Sequence, residues 1–112
     1  MGRTNLQVTR WALGGITLST MMGGRDEETI NRVFNAALDY GINFVDTSRV
    51  YMDSEENIGQ VMKTRRKECF IASKSHSREY ATVMADLEES LKALQTDRID
   101  IYQVHELYPG EI

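Results

Sequence analysis

Four short apolar or β-branched runs, each ending abruptly on a glycine or a polar residue, punctuate this sequence at a near-constant interval. Their ends fall at Gly15, Asp46, Lys74 and His105, separated by 31, 28 and 31 residues. About thirty residues is the length of one strand-helix unit leading to a second, parallel strand, and such crossovers are right-handed. The interval therefore predicts the order β-α-β-α-β-α-β around a parallel sheet.

The intervening segments fit that frame. Between residues 26 and 40, Ile30, Val33, Phe34, Ala37 and Leu38 fall on one face of a helix, and Gly41 stands where a helix-ending glycine belongs. Residues 42–46 read as a buried strand that runs into Asp46-Thr47-Ser48. Ser54 is expected to cap a helix with Ile58, Val61 and Met62 on its apolar side and Glu55 and Glu56 in its first turn. Its basic end, Lys63, Arg65, Arg66 and Lys67, reads as a solvated, dipole-matched terminus. A strand over 69–74 follows, then a helix over 78–95 marked by Tyr80, Val83, Met84, Leu87, Leu91 and Leu94, with Ser77 as its cap. A strand over 99–105 comes last. Upstream, residues 11–15 read as the first strand, preceded by an extended piece at 6–8.

Two architectures share this order, an open doubly wound sheet and a closed (β/α)8 TIM barrel. A nucleotide-binding open sheet carries G-x-G-x-x-G at its first turn, and neither Gly14-Gly15 nor Gly23-Gly24 supplies it. The barrel is favoured. A complete barrel takes about 250 residues and eight strands, whereas this chain of 112 residues holds four such runs. The expected fold class is the N-terminal half of a (β/α)8 barrel, one partial domain over 1–112. Such a half leaves its first and fourth strands as open edges, which a second copy or a missing C-terminal half would cover.

Composition narrows the function classes. With 41% apolar residues, disordered and collagenous readings are excluded. A net charge of −4 offers no general attraction to nucleic acid or anionic membranes. No apolar run approaches the roughly 18 to 20 residues that cross a bilayer, no secretory pattern follows Arg3, and Leu6 breaks the myristoylation pattern. Cys69 stands alone, and His76 and His105 form no zinc-spaced cluster. A soluble, cytoplasmic protein without a metal is expected.

The strand ends carry the chemistry. In a barrel, reactive groups stand at the C-terminal ends of strands, where loops vary on a rigid support. Counting back by twos, Phe44 shares a side with Asp46, Ala72 with Lys74, and Ile101 and Gln103 with His105. If those sides face the barrel axis, a carboxylate, an ammonium and an imidazole converge at one rim, where burial demands pairing. The loop after Asp46 adds Tyr51. Singly, each has an ordinary explanation: a turn cap, a core-edge ring, a solvated strand end, a satisfied loop histidine. At three successive strand ends they form a pattern. A phenol gives up its proton only near pH 10, and a neighbouring ammonium eases that release; Lys74 would do so for Tyr51. Asp46 would fix the ammonium, and His105 would orient a carbonyl oxygen. The set suits reduction of a carbonyl, where oxygen takes a proton as carbon receives hydride from a cofactor.

These residues also resemble a known family, the aldo-keto reductases. The match is carried by Gly41-Ile42-Asn43-Phe44-Val45-Asp46-Thr47-Ser48-Arg49-Val50-Tyr51, by Ser54-Glu55-Glu56-Asn57-Ile58-Gly59, by Ile71-Ala72-Ser73-Lys74, and by Leu87-Glu88-Glu89-Ser90-Leu91. It continues from Leu94 through Asp97-Arg98-Ile99-Asp100-Ile101-Tyr102-Gln103-Val104-His105. The resemblance implies an NADPH- or NADH-dependent reductase of a small carbonyl substrate, with Asp46, Tyr51, Lys74 and His105 as a catalytic tetrad. Tyr51 would be the general acid, Lys74 and Asp46 would tune it, and His105 would place the carbonyl. Gly15, Ile16, Thr17 and Asp46 would lie beside the nicotinamide. The Asp53-Ser54-Glu55-Glu56 start and Tyr102-Gln103-Val104-His105 look most similar to a branch whose longer members carry a cysteine-rich iron–sulfur segment; no such segment stands in this sequence, so no cluster is assigned. Family members have four further strands that carry most contacts to the cofactor's phosphates, and Ala12 stands where a glycine is common. Two other classes compete: a non-catalytic half barrel that binds a partner or itself through its edges, and a metal-dependent hydrolase, which would need a second histidine or carboxylate at the rim.

Overall fold

A computed structural model describes residues 1–22 and 26–111, so Gly23, Gly24, Arg25 and Ile112 lie outside the described residues. Four strands, β1 (Leu13–Gly14), β2 (Phe44–Asp46), β3 (Phe70–Ser75) and β4 (Ile101–Val104), lie side by side in chain order. All three pairings are parallel. Between them run α1 (Glu27–Asp39), α2 (Ser54–Arg65) and α3 (Tyr80–Ala93). This is the strand-helix alternation of a (β/α)8 barrel, represented among the described residues by four strands and the three helices between them.

The register confirms the two-residue parity. Gly14 lies beside Asp46, Asp46 beside Ala72, Ala72 beside Ile101, and Lys74 beside Gln103. Val45 and Ile71, paired across β2 and β3, are fully buried on the opposite side. There they join Ile30, Phe34 and Leu38 of α1 and Ile58, Val61 and Met62 of α2 in one apolar cluster. Phe44, Phe70 and Ile101, on the axis side, are only half buried.

Helix α1 closes as its sequence predicts, and the structure adds a cap at its start. Asp26 precedes it and accepts from the Thr29 amide at 2.7 Å. At the other end Gly41 adopts φ +84°, and the Ile42 and Gly41 amides bond back to Ala37 and Leu38. This reverse turn frees the chain to enter β2 directly. Of the five predicted apolar positions, Ile30, Phe34 and Leu38 are buried, whereas Val33 faces solvent.

Several expectations need correction. The first strand is two residues, not 11–15, because Gly15 already begins a 3-10 turn over Gly15–Leu18. The extended piece expected at 6–8 joins no strand pairing; Asn43 hydrogen-bonds the Gln7 carbonyl and the Thr9 amide beside it through its side chain. The last strand starts at Ile101, since Asp100 ahead of it is occupied with Arg66. Ser77 does not cap α3, which begins at Tyr80 after Glu79; its hydroxyl accepts from the Glu79 amide ahead of the helix. Tyr80 and Met84 are exposed, and of α3's own residues only Ser90 is fully buried. The basic end of α2 is not a uniformly solvated terminus. Arg66, with 13% of its side chain exposed, pairs with Asp100 at 2.7 Å and donates to the carbonyls of Cys69 and Arg98. Asp100 in turn accepts from the Ile71 amide, so one ion pair ties the start of β3 to the approach to β4.

Candidate active site

The first turn of α2 organises the rim, in a way its sequence does not announce. Ser54 is the first helical residue, not a cap, and Asp53 precedes it. Its hydroxyl donates to the Gly15 carbonyl at 2.7 Å and lies 2.8 Å from the Thr47 hydroxyl. Asn57 donates to the Leu18 carbonyl, and Asp53 accepts from the Thr20 amide and hydroxyl. Glu55 is 1% exposed; one carboxylate oxygen accepts from Ser73 at 2.6 Å, and the other pairs with Arg49 at 2.8 Å. That bond raises the Arg49 guanidinium above its ordinary value. The expected place of Glu55 was in the first turn, favoured by the helix dipole. The structure shows a buried bolt between α2, β3 and the loop that carries Tyr51.

The same loop continues the sheet beyond β2. The Thr47 amide bonds to the Ala72 carbonyl and the Arg49 amide to the Lys74 carbonyl, which carries Tyr51 over the end of β3. The predicted residues meet there. Lys74 Nζ lies 2.7 Å from Asp46 Oδ2 and 2.7 Å from the Thr47 carbonyl, and sits 5.3 Å from the centroid of the Tyr51 ring. The Tyr51 hydroxyl lies 3.2 Å from His105 Nε2, with the two rings edge to face. His105 follows β4, and its amide extends the pairing with β3 through the Ser75 carbonyl. Burial, then the nearby His76 and Lys74, hold His105 below its ordinary value of 6.5, with Glu106 and Asp46 pulling the other way. The neutral ring is thereby favoured.

The expected nicotinamide contacts divide. Register places β1 beside Asp46, so residues 15–17 follow directly at the rim. Gly15 is buried against Thr47, where an added Cβ would approach within 2.6 Å, and its carbonyl is taken by Ser54. It shapes the rim from below. Ile16 and Thr17 are half buried, and Gly14 is exposed, with open space where a side chain would stand. Parity also places His76 on the Lys74 side, two residues on, and there the structure stacks it on His105, centroids 4.6 Å apart. Contrary to expectation, the rim thus has a second histidine, with Glu106 alongside.

The model for the Aldo/keto reductase family matches residues 10–110. The chain belongs to the aldo-keto reductase family. Aldo-keto reductase YhdN of Bacillus subtilis is 40% identical over 110 residues, covering 85% of this chain and 32% of the relative. The glyoxal reductase of the same organism is 37% identical over 81 residues, 68% of this chain and 28% of that protein. Among solved structures, the holo form of aldo-keto reductase AKR11C1 from Bacillus halodurans superposes with a TM-score of 0.85 at 29% identity, over 99% of this chain and 40% of that one. The chain therefore spans about a third of the curated relatives' length. No described helix is long and apolar enough to cross a membrane.

Proposed function

We propose that this chain carries the proton-transfer half of an NAD(P)H-dependent carbonyl reductase, with Tyr51 as proton donor to the substrate oxygen. The observation that supports it is the closed set at the rim: the phenol 3.2 Å from His105 Nε2, and the ammonium over its ring, itself tied to Asp46. His105, held toward its neutral form, donates a hydrogen bond from Nε2 to the carbonyl and aims the oxygen at the Tyr51 hydroxyl. Lys74 supplies positive charge where negative charge develops as the phenol gives up its proton. Asp46 fixes that ammonium and offsets its partial burial.

The residues fit the nicotinamide end of the cofactor: Gly14 leaves open space at the rim, and Asp46, with 37% of its side chain exposed, stands beside it. Ile16, Thr17 and Asp46 would hold that end, and Gly15 would shape the floor beneath it. When bound, the dinucleotide supplies the hydride. The substrate is a small carbonyl compound, in keeping with a relative named for glyoxal reduction. The compartment is the cytoplasm, in keeping with a single cysteine, Cys69, that has no internal disulfide partner.

A second reading is favoured by one observation: β1 and β4 are sheet edges, and the axis face beside them is half exposed. In it the chain is a module that joins a second copy, or the remainder of a barrel, through those edges. Fluorescence titration of the chain with NADPH, together with turnover of a simple aromatic aldehyde, separates the two. The reductase reading expects saturable binding, turnover, and a loss of at least about a hundredfold in rate in Tyr51→Phe with binding retained. Turnover that survives Tyr51→Phe, or no binding at millimolar cofactor, contradicts it.

A further inference from the structure

The chain has two histidines, and the fold brings both to one place. His76 and His105 stack, and the Glu106 carboxylate spans them: one oxygen lies 3.5 Å from His76 Nε2 and the other 3.8 Å from His105 Nδ1. One donor atom from each of the three residues lies within 4.8 Å of the other two. His105 Nδ1 is buried without a hydrogen-bond partner, while its other nitrogen faces Tyr51. The ring thus keeps one lone-pair position uncommitted, and it points toward the neighbouring imidazole and carboxylate.

The three backbones are held by one cation. The Arg78 guanidinium donates to the carbonyls of His76, His105 and Glu106 at 2.7, 3.1 and 2.6 Å, and is itself paired with Glu111 at 2.6 Å. Glu106 sits at φ +54°, a conformation that residues with a Cβ seldom adopt. The loops after β3 and β4 are therefore pinned together at the three residues whose side chains converge.

We infer that His76 Nε2, His105 Nδ1 and the Glu106 carboxylate bind a first-row divalent cation of borderline softness, of which Zn²⁺ is the type. Two imidazoles and one carboxylate are the donor set of open, three-ligand sites, in which a fourth position is left for water or another oxygen. Ligands of a tetrahedral Zn²⁺ stand about 3.3 Å apart, so the donors close by about an ångström or less on average and the stacked His76 ring turns. His76 and Glu106 are free to move, with 45% and 51% of their side chains exposed. The Tyr108 hydroxyl also donates to Glu106, and a carboxylate has room for both partners. A cation on Nδ1 leaves the proton on Nε2, so occupancy fixes the His105 tautomer that faces Tyr51. The site stands whether or not the chain is a reductase.

Calorimetric titration of the full chain with Zn²⁺ near neutral pH, in a buffer that does not chelate, tests it. The expected result is saturable one-to-one binding with the imidazole NMR signals of both histidines shifting together. Affinity falls at least about tenfold in His76→Ala and in Glu106→Gln, and falls in Arg78→Met, with circular dichroism confirming that each variant folds. Mg²⁺ at the same concentration gives no binding. Zn²⁺ binding that survives His76→Ala, equal binding of Mg²⁺, or no saturable binding at millimolar Zn²⁺ overturns the proposal.

Discussion

Glu55 shows how a residue that looks ordinary in sequence can hold a rim in place. Its position in the first turn of α2 suits a helix dipole, and periodicity says nothing of the two groups waiting beneath it. Ser73 is on the outward parity of β3 and Arg49 on a loop, so their meeting with Glu55 is a tertiary fact. Removing the carboxylate leaves the buried Ser73 hydroxyl and the part-exposed Arg49 without their partner, and Glu55→Ala is expected to cost about 1–3 kcal/mol in urea unfolding. His105 gives a pH signature. Its folded value is depressed, so below about 6.5 the unfolded chain takes up the proton first. The stability it contributes is present above that pH and is lost as pH falls toward the folded value. Melting temperatures at about pH 7.5 and about pH 5.5 should therefore differ less in His105→Gln than in the parent. Asp46, Lys74 and His105 were legible as a converging set because strand parity is a strict rule. His76 obeys the same parity, and was missed because zinc-type spacing looks for neighbours in sequence, not across two strand ends.

Among the elements, α1 was the most readable, since its apolar face and closing glycine agree. The end of α3 repeats the turn with a different residue. Gln95 takes φ +52°, with the Thr96 amide bonding back to Leu91, a geometry that favours glycine. Gln95→Gly should raise stability by about 0.5–1 kcal/mol, read as a higher denaturant midpoint at unchanged slope. Where α2 passes the end of α3, Gly59 permits the approach: a Cβ there would collide with the Ala93 carbonyl and press on Leu94. Gly59→Ala should lower the melting temperature despite alanine's better helix propensity. The boundaries of β1 and of the basic end of α2 were less legible. A two-residue strand has too few positions to show alternation, and Arg66 is placed by Asp100, which lies in a distant segment.

At the scale of the whole molecule, the thirty-residue interval identified the parallel order because each interval must contain one strand, one helix and two loops, and the missing G-x-G-x-x-G turned the choice toward the barrel. The same order leaves β1 and β4 at the two edges of the described sheet, with Phe44, Phe70 and Ile101 half exposed on the axis side. An uncovered edge beside apolar surface promotes pairing with another chain. Sedimentation of the 112-residue chain should show mass rising with concentration, and Val104→Lys on the β4 edge should suppress that rise. The proposed proton transfer requires the loop after β2 to meet the end of β4. Proton NMR tests that meeting directly: with ring centroids 5.7 Å apart, nuclear Overhauser contacts should connect the ring protons of Tyr51 and His105. Their absence, with His105 showing contacts only to residues away from Tyr51, would contradict it.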